Sequence, residues 1–210
     1  AASDVYKRQG VDPVSGRKVG LETGDPRGFG NYDELYAAFM KQIRYFVDMK
    51  VRVSNYIDRM FAKYAPATFL SLFIDDCIAK GRDYYNCGPR YNTTYIQCTG
   101  LGTITDSLVT LKKHIFEDKR WSMDELLKAM ADNFEGAEAM RQTILNRTPF
   151  FGNDDEYADS IAVKVFDDLY DTIEGKPNTK GECFHLNMLS TTCHVYFGKV
   201  MGATPNGRLA

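Results

Sequence analysis

From Tyr32 onward, apolar side chains recur at helical spacing. Leu35, Phe39, Ile43, Phe46, Val47, Ile57, Met60 and Phe61 form one stripe that runs to about Tyr64, the recurrence expected of an amphipathic helix. Asn31, with Glu34 three residues on, has the spacing of a capping box at its start. A second helix is expected over "PATFLSLFIDDCIAKG", with Pro66 ahead of it and Gly81 as its stop. "RYNTTYIQC", rich in β-branched and aromatic residues, reads as a strand. A Gly-rich bend leads from it into a helix over about Thr105–Phe116, capped by Thr105 or Asp106.

Three further helices are expected. "SMDELLKAMADNF" is capped by Ser122 with Glu125, "GAEAMRQTILNR" follows, and "NDDEYADSIAVKVFDDLYDTIEG" is capped by Asn153 with Glu156 and stopped by Gly175. "CFHLNMLSTTCHVYFGK" reads as one or two strands before the turn "GATPNGR". Gly10–Gly30, dense in Gly, Pro and Asp, should be loop or a small two-stranded flap. The pattern is a helix-rich α/β chain, with strands too few and too far apart to close a sheet by themselves.

Composition narrows the classes. With 210 residues, 44% of them hydrophobic, the chain has material for one sizeable domain. A formal net charge of -2 gives no electrostatic reason to expect nucleic acid. "FLSLFI", the longest apolar run, is too short to span a bilayer, and nothing resembles a signal peptide. Five cysteines, with no Cys-x-x-Cys pair, argue against a disulfide framework and for a reducing, cytoplasmic setting. The opening "AASDVYKRQ" shifts abruptly into "GVDPVSG", so residues 1–9 read as a non-native leader and 10–210 as the protein proper. The close after "PNG", a turn that normally sends a chain onward, suggests an internal part of something longer.

Several residues invite chemistry. Gly100-Leu-Gly102 looks like half a dinucleotide fingerprint, but position 105 is Thr105 rather than glycine, and a tight strand-to-helix turn is the expected role. Cys183, His185, Cys193 and His194 suggest a metal. On a strand, however, Cys183 and His185 share a face while Cys193 and His194 point apart, so buried thiols and a hydrogen-bonded histidine are expected instead. Cys77 reads as a structural thiol on a helix core face. Cys87 and Cys98 are left open between structural thiol and nucleophile, Cys98 standing at a strand end where α/β active sites often lie. The acidic runs Asp75-Asp76 and Asp154-Asp155-Glu156 fit solvated faces and a helix start.

Six stretches, in order, resemble the glycyl radical enzymes, the pyruvate formate-lyase-like family: "GVDPVSG", "TGDPRGF", "DELYAAF", "PRYNTTYIQCTGLGTITDSL", "FEGAEAMRQTILNRTPFFGND" and "CHVYFGKVMGATPNGR". They cover nearly all of Gly10–Ala210. "YYNCGPRYNT", "KGEC" and "LSTTCHVYFGKVMGATPNGR" look most like the branch that dehydrates trans-4-hydroxy-L-proline; many relatives carry Gly-Gly-Ala where this chain has Cys87-Gly88-Pro89.

The resemblance implies a ten-stranded α/β barrel of which this chain is a helix-rich fragment, part of a single pyruvate formate-lyase-type domain over 10–210. It implies a catalytic cysteine in a Gly-Cys-Val-Glu string and a radical-storing glycine, both outside this chain; no catalytic residue is expected here, and Cys98, followed by Thr99 and Gly100, does not take that role. It further implies no bound cofactor, a glycyl radical installed by a radical S-adenosylmethionine activating enzyme, a small-molecule substrate and a homodimer. The implied reaction removes water from trans-4-hydroxy-L-proline to give a pyrroline-5-carboxylate. Pyruvate formate-lyase, a glycerol or propanediol dehydratase, and a non-catalytic helical binding module are the alternatives. The contribution expected of this chain is pocket wall. Thr191 or Thr192 on the strand "LSTTCHVYF" would hydrogen-bond a substrate carboxylate or the leaving hydroxyl, with alternation letting one of the two face inward.

Overall fold

The computed structural model describes residues 10–12, 15–189, 192 and 194–210, with nothing stated for the His194 side chain. Eight α-helices and two strands are named among the described residues: α1 Tyr32–Tyr64, α2 Thr68–Ser71, α3 Cys77–Lys80, β1 Thr94–Gln97, α4 Leu101–Thr110, α5 Met123–Ala131, α6 Glu138–Arg147, α7 Glu156–Ile173, β2 Phe184–Asn187 and α8 His194–Met201. The helix-rich α/β expectation holds. The chain divides into two compact units.

The first unit takes the residues up to Tyr45, Thr99–Asp168 and Leu189–Ala210. Leu35, Leu108, Val109, Leu126, Ile144 and Val165 are almost wholly withdrawn from solvent here. Its helix starts rest on local chemistry. Asn31 Oδ1 accepts the Glu34 N–H at 2.9 Å, while Glu34 reaches back to the Gly30 N–H at 2.8 Å. Ser122 and Glu125 form a reciprocal capping box. At α7 the expected cap shifts by two residues: the Asp155 carboxylate, not Asn153, takes the Tyr157 N–H at 2.9 Å, and Asn153 donates to the Phe150 carbonyl instead. Asp155 also places negative charge at the positive end of the helix.

Two expectations fail around α4. The helix begins at Leu101, because Gly100, at φ 86°, turns the chain sharply enough for its carbonyl to take the Ile104 N–H. Thr105 and Asp106 therefore lie inside the helix rather than capping it; Thr105 is fully buried, and Asp106 Oδ1 accepts the Phe151 N–H at 2.9 Å. Beyond Thr110 the helix widens into a π-helical stretch, Leu111–Glu117. That stretch seats the buried His114 with Nε2 2.9 Å from Thr148 Oγ1 and its ring 5.3 Å from Trp121. Among the described residues of Gly10–Gly30, the expected flap is represented by an antiparallel bridge, Val11 with Lys18.

The second unit holds Phe46–Cys98 and Leu169–Met188. β1 and β2 form a two-stranded parallel sheet in the register Thr94–Phe184, Tyr95–His185, Ile96–Leu186 and Gln97–Asn187. Ile96, Phe184 and Ile173 are buried. The single helix expected from Pro66 to Gly81 is instead two short ones, α2 and α3. Asp76, at φ 75°, stands in the left-handed region that interrupts a helix, and its carboxylate is engaged by Arg90 at 2.8 and 3.2 Å. Gly81, at φ 58°, stops α3 as expected. Cys77 is buried, 2% exposed.

Candidate functional site

Of the two candidate substrate-binding residues, Thr191 lies outside the described residues. Thr192 is exposed, and its carbonyl accepts the Val195 N–H at 3.3 Å in the turn that opens α8. From His194 onward the strand expected here is instead a helix. Val195, Tyr196 and Phe197 favour a strand by propensity, but tertiary contacts override them. Arg208 donates to the carbonyls of Gly198 at 2.8 Å and Gly202 at 3.1 Å, satisfying the last turn of α8. Gly198 leaves room for this, since a Cβ there would stand 2.8 Å from Arg208 Nη2. The "TPNG" turn holds Arg208 in place through paired Thr204 and Gly207 backbone bonds at 3.0 Å.

The same unit carries a groove of about 860 Å³ lined by residues including Asp25, Arg27, Met130, Asn133, Lys199 and Ala203. Arg27 is held by Asp124 at 2.7 Å and Asp25 at 3.1 Å, so that guanidinium is already matched by carboxylates. Asp106 is a half-buried acid in this unit. Burial raises its pKa, against the lowering effect of the Phe151 N–H.

In the second unit, β1 runs out at Gln97, and the Cys98 N–H donates to the Asn187 carbonyl at 2.8 Å, extending the parallel ladder. Burial raises the Cys98 thiol pKa, favouring the unreactive protonated form. The structural reading of Cys98 thus gains over the nucleophilic one.

Cys183 and His185 do share a face and meet, Sγ standing 3.5 Å from Nε2. The other ring nitrogen, Nδ1, is hydrogen-bonded to Glu174 Oε1. Among the described residues no group of three or more His, Cys, Asp or Glu side chains could hold a metal ion; Cys193 and the His194 side chain fall outside that description. Glu174 was missed by the sequence reading, yet it carries a signal. An acidic side chain just beyond the C-terminus of α7 opposes the helix dipole and needs a partner. His185 supplies one. His114 was missed too, since a lone histidine on a helix stripe has no distinguishing pattern.

The sequence profile described as pyruvate formate lyase-like matches residues 5–198. The chain belongs to this family. Among its relatives, the trans-4-hydroxy-L-proline dehydratase of Clostridioides difficile is 50% identical over 200 residues, covering 95% of this chain and 25% of that protein. The isethionate sulfite-lyase of Oleidesulfovibrio alaskensis is 36% identical over 197 residues, covering 92% and 23%. A crystal structure of the C. difficile hydroxyproline dehydratase with substrate trans-4-hydroxy-L-proline bound superposes with a TM-score of 0.93 at 47% identity, covering 100% of this chain and 26% of that one. The glycerol-bound B12-independent glycerol dehydratase of Clostridium butyricum gives 0.90 at 31%, covering 100% and 26%. This pyruvate formate lyase-like chain thus spans about a quarter of the length of the relatives it matches. Its α/β architecture corresponds to that part of the glycyl radical enzyme fold. No helix among the described residues is long and apolar enough to cross a membrane.

Proposed function

We propose that this chain forms part of a glycyl radical lyase that eliminates water from trans-4-hydroxy-L-proline to give a pyrroline-5-carboxylate. The observation that carries this reading is the step in identity, 50% to the hydroxyproline dehydratase against 36% to the isethionate sulfite-lyase. In the whole protein a stored glycyl radical, installed by a radical S-adenosylmethionine activating enzyme, would supply the unpaired electron that lets the catalytic cysteine take a hydrogen atom from the substrate. The remaining chemistry is loss of a proton and departure of hydroxide, which needs a base and an acid. None of the five cysteines in this chain is followed two residues later by glutamate, as the family's catalytic string requires. We therefore assign no catalytic residue here.

The role we assign is substrate enclosure within one pyruvate formate-lyase-type domain that takes in residues 10–210, in a cytoplasmic homodimer. Thr191 and Thr192 remain the substrate-binding candidates, Thr192 standing exposed in the turn before α8.

The test is anaerobic turnover by the full-length activated enzyme, offered trans-4-hydroxy-L-proline, glycerol, 1,2-propanediol, isethionate, and pyruvate with coenzyme A. Pyrroline-5-carboxylate formation supports the reading; turnover of another substrate without hydroxyproline overturns it. Thr191→Ala and Thr192→Ala are expected to raise KM about 10-fold or more for each lost hydrogen bond to a charged group. An unchanged KM in both would remove these threonines from the pocket.

A further inference from the structure

The Cys183–His185–Glu174 cluster is outside the proposed substrate chemistry. We propose that it is an activated-thiol site, at which Cys183 undergoes thiol–disulfide exchange with small-molecule disulfides. The three side chains stand in the order nucleophile, base and orienting carboxylate. Glu174 accepts from Nδ1, which fixes the imidazole tautomer and leaves the Nε2 lone pair facing the Cys183 thiol 3.5 Å away. An adjacent base oriented by a third group is the arrangement that turns a thiol into a nucleophile.

The backbone holds this geometry from both sides. His185 is paired with Tyr95 in the parallel ladder, and the two rings lie 5.8 Å apart. The Cys183 carbonyl accepts the Thr94 N–H at 3.1 Å, and Cys183 bridges Pro177. Glu174 is placed by the end of α7, where the following Gly175, at φ 76°, turns the chain and donates its N–H to the Phe184 carbonyl. Access is also present. Cys183 is partly exposed, whereas Cys77 is buried, and burial keeps the Cys98 thiol protonated.

The exchange balances without any further reagent. The Cys183 S–H proton passes to His185 Nε2, and the resulting imidazolium is held by Glu174. The sulfur attacks one sulfur of the disulfide, forming a mixed disulfide while the old S–S bond breaks. The leaving thiolate takes up a proton. Cys183 is oxidised to the mixed-disulfide level as one half of the small disulfide is reduced to thiol.

The test is cysteine-resolved mass spectrometry of the full-length protein exposed to oxidised glutathione, with iodoacetamide in parallel. Cys183 is expected to react about tenfold faster than Cys87, a partly exposed thiol with no base partner among the described residues. Equal rates at the two sites overturn the proposal. His185→Ala should bring Cys183 down to the Cys87 rate, and added imidazole should restore it; failure of that rescue counts against a proton-accepting role. Glu174→Gln should slow Cys183 and Glu174→Asp recover it, the pattern of a positioning residue. A rate unchanged in Glu174→Gln would sink that part of the cluster.

Discussion

Gly88 stands in the centre of "CGP", the stretch in which this chain departs from many relatives, and its replacement by alanine makes a sharp test of packing. A Cβ at Gly88 would lie 2.5 Å from the Arg82 carbonyl oxygen, 2.7 Å from that of Asp83 and 2.7 Å from Cys77 Sγ. Two of these neighbours are backbone, and the Asp83 carbonyl is already engaged by the Asn86 and Gly88 N–H groups. Cys77 is buried, so its sulfur has no open space to move into. The loop must therefore shift by several tenths of an ångström, breaking the bond from the Gly88 N–H to the Asp83 carbonyl, 3.1 Å in the native chain. Overpacking of this kind costs about 1–3 kcal/mol. Expressed as a local opening equilibrium, that is about 5- to 150-fold.

Cys77 itself is the reporter. Its alkylation under native conditions requires local opening, so Gly88→Ala should accelerate its labelling by that factor and lower the urea midpoint followed by circular dichroism. The double variant Gly88→Ala/Cys77→Ala separates the causes. If backbone oxygens set the cost, the two substitutions add in urea unfolding; if the sulfur does, Cys77→Ala relieves it. An unchanged midpoint and unchanged Cys77 labelling in Gly88→Ala would refute the close-packing argument outright.

Two further predictions concern the first unit. Ser122→Ala removes the hydroxyl that accepts the Glu125 N–H at 3.2 Å, and should lower stability by about 1 kcal/mol in urea unfolding, with Ser122→Gly less costly. Burial first, and the charge of Arg120 second, hold the His114 pKa below its ordinary value, with Asp118 opposing them. The unfolded chain then takes up a proton first. The stability contributed by neutral His114 is thus intact above about pH 6.5 and lost as pH falls below it. Between pH 7.5 and 5.5 the urea midpoint should fall more in wild type than in His114→Gln; parallel profiles would show that His114 titrates freely.

What the sequence determined by itself is what short-range bonds settle. Asn31 with Glu34, Ser122 with Glu125, and the glycine stops at Gly81 and Gly175 are each satisfied within a few residues, so spacing alone reveals them. β1 was legible for a related reason, its β-branched and aromatic run being bounded by turn residues. The failures share the opposite cause. "CHVYFGK" has strand propensity, but Arg208 reaches back ten residues to the Gly198 carbonyl and secures a helix. Asp76 breaks a helix in a conformation that suits its contact with Arg90, fourteen residues away. Thr105 and Asp106 look like caps, yet Gly100 starts the helix earlier and Asp106 binds Phe151, forty-five residues on. In the Cys183 cluster the strand period placed Cys183 and His185 together. Glu174 joined them because the chain turns at Gly175, whose N–H donates to the Phe184 carbonyl, a pairing that no local pattern encodes. Backbone propensities are worth tenths of a kcal/mol per residue, whereas satisfying a buried donor or acceptor is worth about 1–3 kcal/mol, so tertiary partners decide wherever the two disagree.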